Sequence, residues 1–164
     1  MNKQYLFWSR VVAAIFTCIA LGNFAHADNP RDGTWQLSMR KLPDGTTLKP
    51  PIVQGRSSFH NGVNQLVVFW PTPDGKSASL SSISKWEWTD SEVSATRILL
   101  IFDDGSGNPP AYMVGGETKR EPIGRHDGRV SYQHPLDPPL LVYDGNKMTA
   151  TLQGVFVDYW EKVE

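Results

Sequence analysis

The sequence predicts an all-β domain: a single antiparallel up-and-down β-barrel, with a β-sandwich as the alternative. Three observations carry that reading. Short runs alternate apolar and polar residues with period 2, glycine-containing turn dipeptides separate them, and no segment sustains the i, i+3, i+4 spacing of a helix. The dipeptides are Asp-Gly at 32–33, 44–45, 74–75, 104–105, 127–128 and 144–145, and Asn-Gly at 61–62. They suit the positive φ values of tight hairpin turns. Twelve prolines, all beyond residue 29, also argue against long helices.

Residues 1–27 stand apart from this pattern. Lys3 and Arg10 make a positive start, Val11 to Leu21 an apolar run short for a membrane span, and Ala25-His26-Ala27 a small-residue cleavage site. That is the layout of a secretory signal peptide. The domain is therefore expected over 28–164, in an exported compartment, periplasmic or secreted, with no stable membrane anchor after cleavage. Cys18, the single cysteine, lies in the leader, so the 137 residues left of 164 hold no disulfide, thiolate metal site or cysteine nucleophile. Lys+Arg falls from 16 to 14 against 17 Asp+Glu, a net charge of −3. A chain with that balance has no basic face for a phosphate backbone, and nucleic acid is not an expected partner.

The elements follow in order. Trp35, Leu37 and Met39 alternate with Gln36, Ser38 and Arg40. Leu42 to Gly55 carries Pro43, Pro50 and Pro51 and reads as a connection with at most an edge segment. Val63 to Trp70 is apolar on both faces and ends at Pro71-Thr72-Pro73-Asp74-Gly75. Ser77 to Ser84 is serine-rich and a weak strand, whereas Trp86 and Trp88 alternate cleanly with Lys85, Glu87 and Thr89. Glu92 to Phe102 is the longest apolar strand; Ala111 to Arg120 and Arg129 to His134 follow, then a proline-rich corner over 134–139. The chain closes from Leu140 to Val163 as strand, turn, strand, glycine, strand. In the last of these Val155, Val157 and Tyr159 share one face and Phe156 and Trp160 the other, so both faces carry apolar bulk. Such a strand needs partners. Its natural neighbour is Thr34 to Arg40, a pairing that would close the sheet into a barrel and remove its edges.

Asp32-Gly33-Thr34-Trp35-Gln36-Leu37 resembles the Gly-x-Trp opening of the lipocalin-like, or calycin, barrels. Asp158-Tyr159-Trp160-Glu161-Lys162-Val163 is similar to the aromatic–basic last strand of bacterial exported lipocalin-like domains. The resemblance is confined to these two ends, six residues at each. It implies that Trp35 packs across the barrel floor under a basic side chain of the closing strand, which also carries Trp160. Lys162 matches that position in place of the family's usual arginine.

Several side chains invite a chemical reading. Arg97 shares a face with Val93, Ala95, Leu99 and Ile101. Inside an apolar lumen its guanidinium needs an anion, from the protein or from a ligand; at a rim the stem packs and the head meets water. Asp158, between Phe156 and Trp160, pairs with Arg97 or Arg40, caps a rim in solvent, or serves as the one candidate catalytic acid. His60, His126 and His134 lack metal-ligand spacing, and Asp103 to Asn108 fits a hairpin better than a calcium loop, so no metal and no cofactor are expected.

Trp86, Trp88, Arg97, Tyr112 and Tyr132 are the candidate ligand-lining residues, although aromatics filling a small barrel would look the same. The expected function is an exported protein, monomeric or a weak homodimer, holding a small hydrophobic or amphipathic molecule in its lumen. A barrel enzyme of isomerase, cyclase or hydratase type is one alternative. A solid barrel acting as a protein-interaction module is another.

Overall fold

The computed structural model describes residues 29–164, and the leader expected over 1–27 lies outside the described residues. The first strands are β1 (Gly33–Lys41), β2 (Thr47–Leu48), β3 (Gln54–His60), β4 (Val63–Pro71), β5 (Ser77–Trp88) and β6 (Glu92–Asp103). They are followed by β7 (Ala111–Val114), β8 (Thr118–Pro122), β9 (Gly124–His126) and β10 (Arg129–Gln133). The closing unit is β11 (Leu140–Asp144), β12 (Lys147–Leu152) and β13 (Phe156–Lys162). All belong to one antiparallel sheet of order β7-β6-β5-β4-β3-β1-β13-β12-β11-β10-β9, with β2 added on β1 and β8 on β6. The order is a meander, the up-and-down connectivity expected of a lipocalin-like barrel.

The turn chemistry explains that meander. Every glycine of the seven turn dipeptides has positive φ. At Asn61-Gly62 and Asp127-Gly128 both residues do, with φ of 51° and 75°, and of 49° and 76°. These are two-residue hairpins whose twist matches that of the flanking strands, β3–β4 and β9–β10.

Head and tail of the domain lie side by side. In the β1–β13 register Trp35 faces Lys162, Leu37 faces Trp160 and Arg40 faces Asp158. This pairing does not close the sheet, however. It lies mid-sheet, and the open seam runs between β7 and β8 on one side and β9 on the other. The sheet still curls on itself, because Arg97 of β6 bonds the β10–β11 corner and only Ile123 separates β8, paired with β6, from β9, paired with β10. Two further expectations change. Ser77 to Ser84 is no weak segment but the first two-thirds of an unbroken 12-residue strand, its Ser82 and Ser84 buried in alternation. Ala111 to Arg120 is broken at Gly115-Gly116, Gly115 having φ 73°, into β7 and β8, each pairing β6.

Two bulges decide which side chains point inward. Between Leu37 and Met39 the β1–β13 register shifts by a residue. Trp35 and Leu37 face the core, but beyond the bulge Arg40 is the buried residue and Met39 is not. In the β5–β6 pair Ser84 faces Arg97 while Ile83 faces Leu99, leaving Ile98 as the extra residue on β6. Past it Leu100 and Phe102 continue the face of Arg97, opposite Ser82 and Leu80. Leu99 and Ile101, expected on that face, are turned from it.

The core is one cluster joining strands from both ends of the order, including Trp35 and Leu37 (β1), Phe59 (β3), Trp86 (β5), Val93 (β6), Tyr132 (β10) and Tyr143 (β11). Trp160 fits because Gly55 of β3 lies beneath its ring: a Cβ at residue 55 would stand 2.6 Å from Cη2 of the indole.

Candidate functional site

The curled sheet leaves a cavity of about 790 Å³. Leu66, Val68 and Trp70 on β4 form one wall; Leu141, Met148 and Ala150 on β11 and β12 form the facing one. These positions point inward because they occupy alternate residues of their strands. Leu42, the Pro71–Pro73 turn, Leu152 and Val155 surround the mouth. The volume and the apolar lining are those of a small-molecule chamber.

Arg40 and Asp158 line the chamber as a fork-to-fork pair, Nε donating to Oδ1 at 2.6 Å and Nη2 to Oδ2 at 2.7 Å. Only 6% of Arg40 and 3% of Asp158 is exposed. The β1 bulge and the β13 register bring them together, and the guanidinium also lies over the rings of Phe156 (4.2 Å) and Trp70 (5.5 Å). Burial pushes the Asp158 carboxyl above its ordinary value, against the hydrogen bonds and charge of Arg40. Both carboxylate oxygens are occupied by the pair. Of the two arginines expected as partners of Asp158, Arg40 is the one it pairs with.

The floor is aromatic and holds a second arginine. The Arg31 guanidinium lies 3.9 Å from the Trp86 ring centroid and 5.3 Å from that of Phe59. The Arg31 carbonyl accepts the indole N–H of Trp35 at 2.9 Å, which ties the segment before β1 into the barrel end. Tyr132 faces the same guanidinium and donates its hydroxyl hydrogen to the Tyr143 oxygen at 3.1 Å. Burial pushes the Tyr132 phenol well above its ordinary range, and Tyr143 up as well, so both are neutral. Tyr143 meets Trp35 edge-on at 5.5 Å, and Lys162 Nζ stands 5.8 Å over the Trp35 ring. This is the arrangement of Trp35 and Lys162 that the family resemblance implies.

His134, on the corner after β10, reaches the same floor, its ring edge-on to Trp86 at 5.0 Å. Its Nδ1 accepts the backbone N–H groups of Leu136 (3.2 Å) and Asp137 (3.1 Å). The neutral ring therefore carries its proton on Nε2, and the 3.6 Å approach of Nδ1 to Asp137 is not an ion pair. Burial first, then Arg31 and Arg97, hold its pKa well below 6.5. A base depressed on folding stabilises above its unfolded pKa, and that stability is lost as pH falls below about 6.5. Between pH 7 and 5.5 the free energy of unfolding should drop by about 1 kcal/mol more in the wild type than in His134→Asn, whose amide oxygen can take over the Nδ1 role. Urea unfolding of both at the two pH values checks this; parallel losses would remove His134 as the source.

Arg97 meets its anion within the protein. Its Nη2 donates to Asp137 Oδ1 at 2.7 Å and to the Leu136 carbonyl at 2.9 Å. The pair ties β6 to the corner across the seam; Asp137 borders the chamber, and Arg97 does not. Trp86 and Tyr132 lie in the floor beneath the chamber, and Trp88 packs against the core beside Tyr132 at 5.3 Å. Tyr112 departs furthest from expectation. It is 78% exposed on β7, an edge strand whose four residues all face solvent, because the split at Gly115 leaves β7 unpaired on one side. The chamber wall comes instead from β1, β4 and β11–β13. Arg31 was not foreseen. It sits in a turn-rich segment with no alternation, and its only sequence sign is a lone base four residues before the opening tryptophan.

No protein-family model and no curated protein matches the chain. Among solved structures it is similar to a lipocalin-like protein from Bacteroides uniformis ATCC 8492, with 14% identity, 82% of this chain and 100% of that chain covered, and a TM-score of 0.35. It is also similar to an uncharacterized protein from Bacteroides eggerthii DSM 20697, with 15% identity, 81% and 99% covered, and a TM-score of 0.35.

Proposed function

We propose that this protein is an exported binding protein whose lumen holds a hydrophobic or amphipathic small molecule. The observation that carries the reading is the chamber itself: about 790 Å³, walled by aliphatic and aromatic side chains and open at the turn end of the sheet. Apolar burial supplies the affinity of such a site, and a few polar groups supply orientation. A solid interaction module has no need of this space.

The test is uptake of a neutral apolar fluorophore, N-phenyl-1-naphthylamine. The wild type should bind it saturably. Ala150→Trp, which pushes an indole into the chamber beside Asp158, should weaken binding about tenfold or more without lowering thermal stability. No enhancement of fluorescence in the wild type would sink the reading.

The buried Arg40–Asp158 pair beside the cavity is the feature an acid–base enzyme on this barrel would also need. The binding reading is preferred because both Asp158 oxygens are held by Arg40 and a general acid or base must be free to exchange its proton. Chemical conversion of a bound ligand, abolished in Asp158→Asn, would reverse that preference.

A further inference from the structure

We propose that the ligand is a carboxylate-bearing amphiphile, its head docked on Arg31 and on the Nε2–H of His134, its tail running through the chamber to the mouth. This rests on reading the chamber as a ligand site and adds the chemical class and the direction of entry.

Charge is the starting point. Three arginines lie in or beside the lumen, and two are neutralised, Arg40 by Asp158 and Arg97 by Asp137. Arg31 is not. It is 95% buried, borders the chamber, and forms no ion pair among the described residues. Its Nη1 is buried and has no hydrogen-bond partner. The faces of Trp86 and Phe59 ease the burial of a guanidinium but accept none of its in-plane hydrogen bonds. The neighbouring phenols are neutral and supply no counter-charge. A buried, unpaired guanidinium is costly unless an anion completes it.

Of the other polar groups at this end, the Asp137 carboxylate also borders the chamber but is already engaged by Arg97, and the rest are donors. His134 borders the chamber, and with Nδ1 engaged by two backbone N–H groups it offers the lumen only a donor. The indole N–H of Trp160 on the wall also lacks an acceptor. A floor of donors with one uncompensated positive charge matches a monoanion, and a planar carboxylate suits a guanidinium. The mouth is apolar at Leu42, Leu152 and Val155, which sets the tail outward.

The experiment compares dodecanoate with dodecanol, equal in chain length and different in head group. Calorimetric titration uses lipid-stripped protein purified from cells expressing the full chain. Dodecanoate should bind about tenfold tighter or better at pH 7.5. Arg31→Gln should remove that preference, with dodecanol affinity changed less than about threefold, and Arg31→Lys should restore part of it. Should Arg31→Gln fail to fold, the wild-type comparison and Arg31→Lys decide alone. Equal binding of the two probes by the wild type would overturn the carboxylate assignment and leave the chamber reading standing. Binding of neither would overturn both.

Discussion

Asp158→Ala should destabilise the protein by about 3–5 kcal/mol, the cost of leaving a buried guanidinium without its partner. Arg40 is 6% exposed, and without the carboxylate it keeps only the rings of Phe156 and Trp70 beside it. The effect lies in the orphaned charge more than in the lost attraction, which gives a second expectation. The double substitution Arg40→Met with Asp158→Leu should fall within about 1–2 kcal/mol of the wild type, or exceed it, because apolar groups can fill the same space without desolvating two charges. Urea unfolding of Arg40→Met, Asp158→Leu and the double variant closes the cycle. A single-variant loss below about 1 kcal/mol would mean that water reaches the pair and that it contributes as an exposed pair does.

Trp35→Ala should cost a comparable amount, about 3–5 kcal/mol. The side chain is 2% exposed, meets Tyr143 edge-on and lies under Lys162. Truncation opens a void in a part of the core that cannot collapse, since β1 is fixed by β3 on one side and β13 on the other. It also removes the indole donor from the Arg31 carbonyl, the bond that anchors the segment before β1. Loss of stability should therefore come with loss of order at residues 29–32, read by faster amide exchange there than at β4. A destabilised variant whose 29–32 segment stays protected would show that Trp35 acts through packing alone.

The two bulges explain why the site was harder to foresee than the fold. Alternation along 35–40 reads Met39 inward and Arg40 outward, and the inserted residue reverses that assignment. The same happens past Ile98, where the face of Arg97 continues through Leu100 and Phe102. A bulge is set by the partner strand's register, a contact of long sequence separation, and leaves no mark on the local apolar pattern. The five lining residues chosen for their aromatic or charged character divide for a related reason. Trp86, Trp88 and Tyr132 pack the end of the barrel, Arg97 spends its charge on Asp137, and Tyr112 lies on an edge. Wall positions such as Leu66, Ala150 and Leu141 are ordinary aliphatic residues that nothing local separates from core.

What the sequence determined by itself was everything with a short-range cause. Asp-Gly and Asn-Gly dipeptides set the hairpins, period-2 runs set the strands, and a doubly apolar last strand called for the first as its neighbour. The tertiary structure alone decided where the sheet stays open, which arginine turns inward, and which of three remains without a carboxylate. The last of these is a matter of charge pairing, which joins residues as far apart as Arg40 and Asp158. Electrostatic balance in a low-dielectric interior depends on distance in space, which sequence order does not contain.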